Sequence, residues 1–307
     1  MIAWRGVFPA VTTQMDLSGR IDTKGVSATV SRLIDDGISG LVMLGMVGEN
    51  SVLQSDEKML VLQAALDASK GKVPVLSGLA ELNTENACRY AERAQAIGVQ
   101  GLMVFPPLGY RTGAKETVDF YSSVARASNL EILIYNNPSA YGVDVTPAIL
   151  QQLADQKTIV AIKEETYDPR RVTDIINATG SRFAIMCGVD DLVFESVALG
   201  AVGWVSGMAN AYPAESAEIV ELISRGEWEQ ARTLYRIMTP IYHFDTEVKL
   251  VQFIKLAAEM NGIGTAHVRK PRLALDGEER AALERTVRVT REELKGYRSQ
   301  FKSSLSA

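Results

Sequence analysis

Lys163 is the fifth residue of "IVAIKEET" (159–166), a segment that opens with four apolar residues. Such a run reads as a strand buried on both faces, where an ammonium group is out of place. Tyr135 holds the same fifth position in "EILIYNN" (131–137), 28 residues earlier. Burial disfavours the charged form of a lysine, so its pKa is expected to fall and free amine to become available. A neutral amine condenses with a ketone or imine to give a Schiff base, which draws electrons from the adjacent carbon. A nearby phenol can carry the protons that such steps require. Two ordinary roles compete with this chemistry. Lys163 can simply pair with a carboxylate, Glu164 or Glu165, and Tyr135 can simply pack with its hydroxyl in water.

For the two groups to meet, their strands must be neighbours. Apolar runs at 6–13, 39–45, 74–80, 101–106, 131–137, 159–165, 183–188 and 201–207 alternate with stretches of helical spacing, including 55–69, 84–97, 114–127 and 213–224. Strands alternating with helices predict βαβ units and a parallel sheet. Eight units are the count of a (β/α)8 TIM barrel, and "DGISGLVML", "IGVQGLMVF" and "LGAVGWVSG" repeat one helix-to-strand pattern. Gly37, Gly98 and Gly200 stand where each preceding helix should end in the left-handed conformation. Period-two alternation then puts Tyr135 and Asn137 on one face, and Lys163 and Glu165 on one face, at the strand ends where barrel active sites form. The division expected is a barrel over 1–225 and a C-terminal helical subdomain over 226–307, which packs outside the barrel or builds an oligomer interface.

Composition narrows the function. The chain is 47% hydrophobic with a net charge of −5 and both signs interspersed, which gives no footprint for nucleic acid or a membrane surface. No apolar run reaches the length of a membrane helix and the N-terminus lacks a signal-peptide pattern, so a cytoplasmic protein is expected. Two cysteines, Cys88 and Cys187, and two histidines, His243 and His267, supply neither a disulfide framework nor a His-rich metal site.

Three loops add detail. "GMVGEN" (45–50) places Gly45 and Gly48 in a turn whose amides can hold a substrate carboxylate. Asp190 and Asp191 in "GVDD" argue against a bound phosphate and read most simply as helix N-caps. "GMAN" (207–210) closes the eighth strand.

Taken together, "GMVGEN", "YNNP" (135–138) and "AIKEE" (161–165) resemble the dihydrodipicolinate synthase / N-acetylneuraminate lyase family, and the likeness runs from "GVFPAVTT" through "VRKPRLAL". The resemblance implies a (β/α)8 barrel with C-terminal helices, a homotetramer built as a dimer of dimers, and a small oxo- or imino-acid substrate. It implies no metal or other cofactor beyond the covalent Schiff base. Lys163 matches the Schiff-base lysine and Tyr135 the proton-shuttling tyrosine. Met46 and Val47 match carboxylate-binding positions, and Val205 a position whose carbonyl lines the site. Asn137 and Tyr141 belong to the motif beside Tyr135.

The departures matter as much. Where the synthase has two threonines, this chain has Met46 and Val47; Leu108 stands for a relay tyrosine, and Ala140 for a carboxylate-binding arginine. "VGEN", "YNNP" followed by Tyr141, and "GWVSGMANAYPAE" (203–215) look like a subgroup, the 1-pyrroline-4-hydroxy-2-carboxylate deaminases, which release 2,5-dioxopentanoate and ammonia. The alternatives are an aldolase or dehydratase of 2-keto-3-deoxy sugar acids, with Asn137, Tyr110 and Asn210 contacting hydroxyls, then the synthase itself, then a catalytically silent oxo-acid-binding barrel. Tyr110 is also a candidate to replace the missing relay hydroxyls.

Overall fold

In the computed structural model, which describes residues 1–302, eight parallel strands form a single sheet. They are β1 (Gly6–Pro9), β2 (Leu41–Met43), β3 (Val75–Leu79), β4 (Gly101–Val104), β5 (Glu131–Asn136), β6 (Ile159–Glu164), β7 (Ala184–Cys187) and β8 (Gly203–Ser206). Their order is β1-β8-β7-β6-β5-β4-β3-β2. The Val11 amide donates to the Val42 carbonyl at 2.9 Å beside an Ala10–Val42 bridge, so β1 also meets β2 and the sheet closes. This is a (β/α)8 barrel, as the alternation predicts.

The helices expected from spacing are found as Ser55–Ser69, Thr84–Ile97, Ala114–Ala127 and Pro213–Ser224. Gly37, Gly98 and Gly200 have φ of 92°, 94° and 114°, the left-handed turn that only glycine adopts without strain. The strands are shorter than the apolar runs at 6–13, 39–45 and 201–207, because the ladder stops where the chain bends into loops at the barrel mouth. Those loops stay apolar because they are buried there: Val11 and Leu44 are each below 5% exposed.

Alternation along the strands sorts the side chains. Val42, Leu76, Met103, Leu133, Tyr135, Ala161, Met186 and Val205 pack into the barrel interior, while Leu41, Val75, Leu102, Ile132, Ile134, Ile162 and Ile185 face the helices. Both faces are dry, which explains the near-continuous apolar runs.

Past the barrel the chain forms helices Trp228–Tyr242, Leu250–Met260 and Gly277–Lys302, with a 3₁₀ turn at His243–Thr246. Of the expected C-terminal part, 226–307, residues 303–307 lie outside the described residues. This part does more than pack outside the barrel: Asp245 and Leu250 line the same cavity as Lys163. Lys255 locks it in place. Its Nζ donates to Glu49 Oε1 at 2.8 Å and to the Thr13 carbonyl at 2.8 Å, with no exposed surface on either charged side chain. Among the described residues, no helix is long and apolar enough to cross a membrane.

Candidate active site

Strand register decides the first question. Tyr135 and Lys163 are direct partners across β5 and β6, and Met186 of β7 partners Lys163 on the other side. Lys163 is 7% exposed and Tyr135 2%. The ammonium lies 4.2 Å from the centre of the Tyr135 ring, within cation–π range.

Alternation also separates the two carboxylates that follow the lysine. Glu164 turns to the helix side, where it accepts from Asn136 Nδ2 at 3.0 Å and from the Thr166 amide at 2.9 Å. Glu165 turns inward, and its Oε2 lies 2.6 Å from Lys163 Nζ. The bare loop residue Gly188 makes room for this pair: a Cβ there would sit 2.8 Å from Glu165 Cβ and 3.0 Å from Lys163 Cε.

The expected fall in the Lys163 pKa is not found. Burial alone pulls it down, but the charge and hydrogen bonding of Glu165, with further help from Asp245 and Asp190, more than offset burial and raise it. The resting lysine is therefore an ammonium, and its nucleophilic form depends on a proton acceptor at hand. Glu165 Oε2, 2.6 Å from Nζ, is placed to be one. The ion pair expected between Lys163 and a neighbouring carboxylate is present, and Glu165 also lines the cavity. Tyr135 stays a phenol, since burial and then the Glu165 charge push its pKa well up.

Asn137 organises both. Its Oδ1 accepts from the Ala140 amide at 2.9 Å, capping the one-turn helix Pro138–Tyr141. That cap orients the amide, so Nδ2 donates to Glu165 Oε1 at 2.8 Å and to the Tyr135 hydroxyl at 3.3 Å. Tyr141 steadies Tyr135 from the side, with ring centres 5.6 Å apart, and Phe105 packs edge-on against both at 4.9 and 5.3 Å.

Met46 and Val47 line the cavity with Ala10, Met103 and Gly207. The turn they occupy is held from below. Glu49, left-handed at φ 56° and fully buried, takes Lys255 and the Arg269 amide; Asn50 Nδ2 donates to the Leu44 carbonyl at 2.8 Å; Thr13 Oγ1 donates to the Gly48 carbonyl at 2.6 Å. The amides of Glu49 and Asn50 bond back to Met46 and Gly45. Among the described residues nothing claims the amides of Met46, Val47 or Gly48, an arrangement that suits a carboxylate. The Glu and Asn of "GMVGEN" are thus structural clamps, and the backbone between the glycines is left free.

Other expectations are corrected. Asn210 is not free for a substrate hydroxyl: it accepts from the Thr12 amide at 3.0 Å and donates to the carbonyls of Ala10 and Gly207, both at 2.8 Å, joining β8 to β1. Asp190 does not cap its own helix. It accepts from Trp204 Nε1 at 2.9 Å and from the amides of Gly207 and Met208, fixing the "GMAN" loop, and burial raises its pKa to about 7. Asp191 meets His243 Nδ1 at 2.7 Å instead of capping. Tyr110 is 63% exposed and bonds Glu116, away from the cavity, so within one chain it replaces no relay hydroxyl. The Val205 side chain packs in the barrel interior, which leaves the expectation for its carbonyl untouched, and Gly207 just beyond it lines the cavity.

The missed residues are Glu165 and Asp245. Asp245 sits in "HFDTE", where nothing in the spacing separates it from a surface acid. Between them, Lys163, Tyr135, Glu165 and Asp245 enclose a narrow cavity of about 20 Å³, room for about one water.

A lysine, a phenol and carboxyl groups at the C-terminal mouth of a barrel have a clear counterpart among known proteins. Residues 3–290 match the model of the dihydrodipicolinate synthetase family. The chain belongs to that family. It is 30% identical to the 4-hydroxy-tetrahydrodipicolinate synthase of Methanospirillum hungatei over 87% of this chain and 93% of that one. It is 29% identical to the putative 2-dehydro-3-deoxy-D-gluconate aldolase YagE of Escherichia coli, over 91% of this chain and 94% of the other. Among solved structures, the synthase of Methylacidiphilum fumariolicum superposes with a TM-score of 0.91 at 27% identity, covering 96% of this chain and 98% of that one. YagE in complex with pyruvate gives 0.90, also at 27%, covering 94% and 99%. The chain is thus a lyase-family enzyme, and the relatives' names support synthase or aldolase chemistry rather than any deaminase.

Proposed function

We propose that Lys163 forms a Schiff base with a small 2-oxo acid or cyclic 2-imino acid, with Tyr135 and Glu165 moving protons and the amides of Met46, Val47 and Gly48 holding the substrate carboxylate. No metal or other cofactor takes part, because the protonated Schiff base is itself the electron sink. The family resemblance adds a tetramer of paired dimers.

Within that class, the side chains of the cavity support 1-pyrroline-4-hydroxy-2-carboxylate as substrate. The observation that carries this reading is a tight cavity lined by Glu165 and Asp245 and by no arginine. A second substrate carboxylate has no partner there, whereas a protonated ring nitrogen finds Glu165. In the proposed reaction Glu165 takes the Lys163 proton, and the free amine adds to C2. The C2–N bond of the ring breaks, and the departing nitrogen receives the proton held by Glu165. Tyr135 helps the opened Schiff base become its enamine, which expels the 4-hydroxyl. Two hydrolyses then release 2,5-dioxopentanoate and ammonia.

The second reading is an aldolase of unphosphorylated 2-keto-3-deoxy sugar acids, favoured by the likeness to YagE, whose structure holds pyruvate. The synthase is third, since Met46, Val47, Leu108 and Ala140 replace polar groups. One assay separates them: ammonia from the hydroxypyrroline, pyruvate from 2-dehydro-3-deoxygluconate, and condensation of pyruvate with aspartate semialdehyde, each measured on the purified chain. Ammonia release supports the deaminase. Pyruvate release without ammonia moves the assignment to the aldolase, and condensation alone moves it to the synthase.

A further inference from the structure

Asp245 has no role in the steps above, yet it is placed as a reactant would be. It belongs to the turn His243–Thr246 of the C-terminal part and lines the cavity with Lys163, Tyr135 and Glu165. Its Oδ1 lies 2.1 Å from where a Cβ on Gly207 would be, so only glycine at 207 allows the carboxyl group to lie against β8's loop. Among the described residues its side chain makes no hydrogen bond or ion pair, whereas Glu165 in the same wall, and Asn137 and Asp190 behind it, are all engaged. A carboxyl group held in a reaction cavity and left unpartnered is available to a substrate.

We infer that Asp245 is a further catalytic residue, the general acid that protonates the hydroxyl leaving C4. This rests on the hydroxypyrroline reading. In the enamine, the C2=C3 electron pair moves to form C3=C4 as the C4–O bond breaks. Asp245 gives its proton to the departing oxygen, which leaves as water. The carboxylate so formed takes a proton from C5, which restores the acid; the C–H electrons form C4=C5, the C3=C4 pair moves to C2=C3, and the Schiff-base nitrogen becomes neutral. A proton from solvent added at C4 then turns the C5 enamine into the imine that hydrolyses to ammonia. Burial, with the charges of Asp190 and Glu165, raises the Asp245 carboxyl above the usual carboxylate range, the direction an acid needs. The assignment also explains why an element from outside the barrel reaches its mouth. Lysine and phenol suffice for a Schiff base and an enamine, but expulsion of hydroxide from an unactivated carbon needs an acid.

The test is Asp245→Asn in the full chain, with two substrates and one trapping control. Trapping of pyruvate by borohydride reports that the variant is folded and that Lys163 still works. Ammonia release from 1-pyrroline-4-hydroxy-2-carboxylate is expected to fall by about 10² to 10⁴-fold in kcat. With the 4-chloro analogue, whose leaving group needs no proton, the loss is expected to stay below about tenfold. An equal loss on both substrates, or no loss on the first, overturns the assignment while leaving the deaminase reading intact. If the wild-type chain releases no ammonia from the hydroxypyrroline, that reading and this inference fall together.

Discussion

Replacing Glu165 with glutamine removes the charge that faces Lys163 while keeping an acceptor for Asn137. In the native site Lys163 Nζ and Glu165 Oε2 are 2.6 Å apart, with both side chains at most 10% exposed. With charge centres ~4 Å apart and an effective dielectric of about 20, their attraction is about 4 kcal/mol, roughly a 10³-fold bias toward the ammonium. Glu165→Gln removes that bias and leaves burial, which favours the neutral amine, against only the weaker pull of Asp245 and Asp190. The sign follows directly. In the wild type, free amine accumulates only as pH rises; in the variant it is present at lower pH. Inactivation by pyruvate with cyanoborohydride, followed from mildly acid to alkaline pH, reads this out. The variant's profile is expected to shift toward acid, and trapping at neutral pH to rise, with roughly 10³-fold as the ceiling. Turnover of the hydroxypyrroline falls in the same variant, because the Lys163 proton no longer has a carrier to the ring nitrogen. An unchanged pH profile would refute the claim that Glu165 sets the protonation of Lys163.

Tyr135→Phe is expected to keep the Lys163 adduct with pyruvate but to lower turnover by about 10² to 10⁴-fold, measured as kcat against trapping rate. Lys255→Met strands Glu49 beneath the binding turn, where both side chains are fully buried. Urea denaturation should show a loss of about 3–5 kcal/mol.

The fold was legible because barrel strands and helices carry different periods, and because glycines at 37, 98 and 200 mark helix ends that require positive φ. The meeting of Tyr135 and Lys163 was legible for the same reason: equal positions on successive βα units become register partners. What the sequence concealed was the consequence of a third dimension around the lysine. Apolar neighbours along the strand suggested a depressed pKa, but alternation also turned Glu165 inward, and one charge at contact distance outweighs burial. Asn210 looked available, and Asp190 looked like a helix cap, because loop residues carry no periodic signal. Both are spent on backbone groups of neighbouring loops. Asp245 was invisible because its position depends on Gly207, 38 residues earlier, and on the Lys255–Glu49 pair that seats the C-terminal helices. The choice of substrate within the family rests on Met46, Val47, Ala140 and Leu108, four apolar positions that remove synthase contacts without naming their replacement.

The central claim is that Lys163 is the covalent nucleophile, and the most direct measurement is to trap it. The protein is incubated with pyruvate or with 1-pyrroline-4-hydroxy-2-carboxylate, reduced with borohydride, digested and mapped by mass spectrometry. The account predicts an adduct on the peptide containing Lys163 with either compound, and none in Lys163→Ala. An adduct on another lysine, or turnover that survives Lys163→Ala, would contradict it.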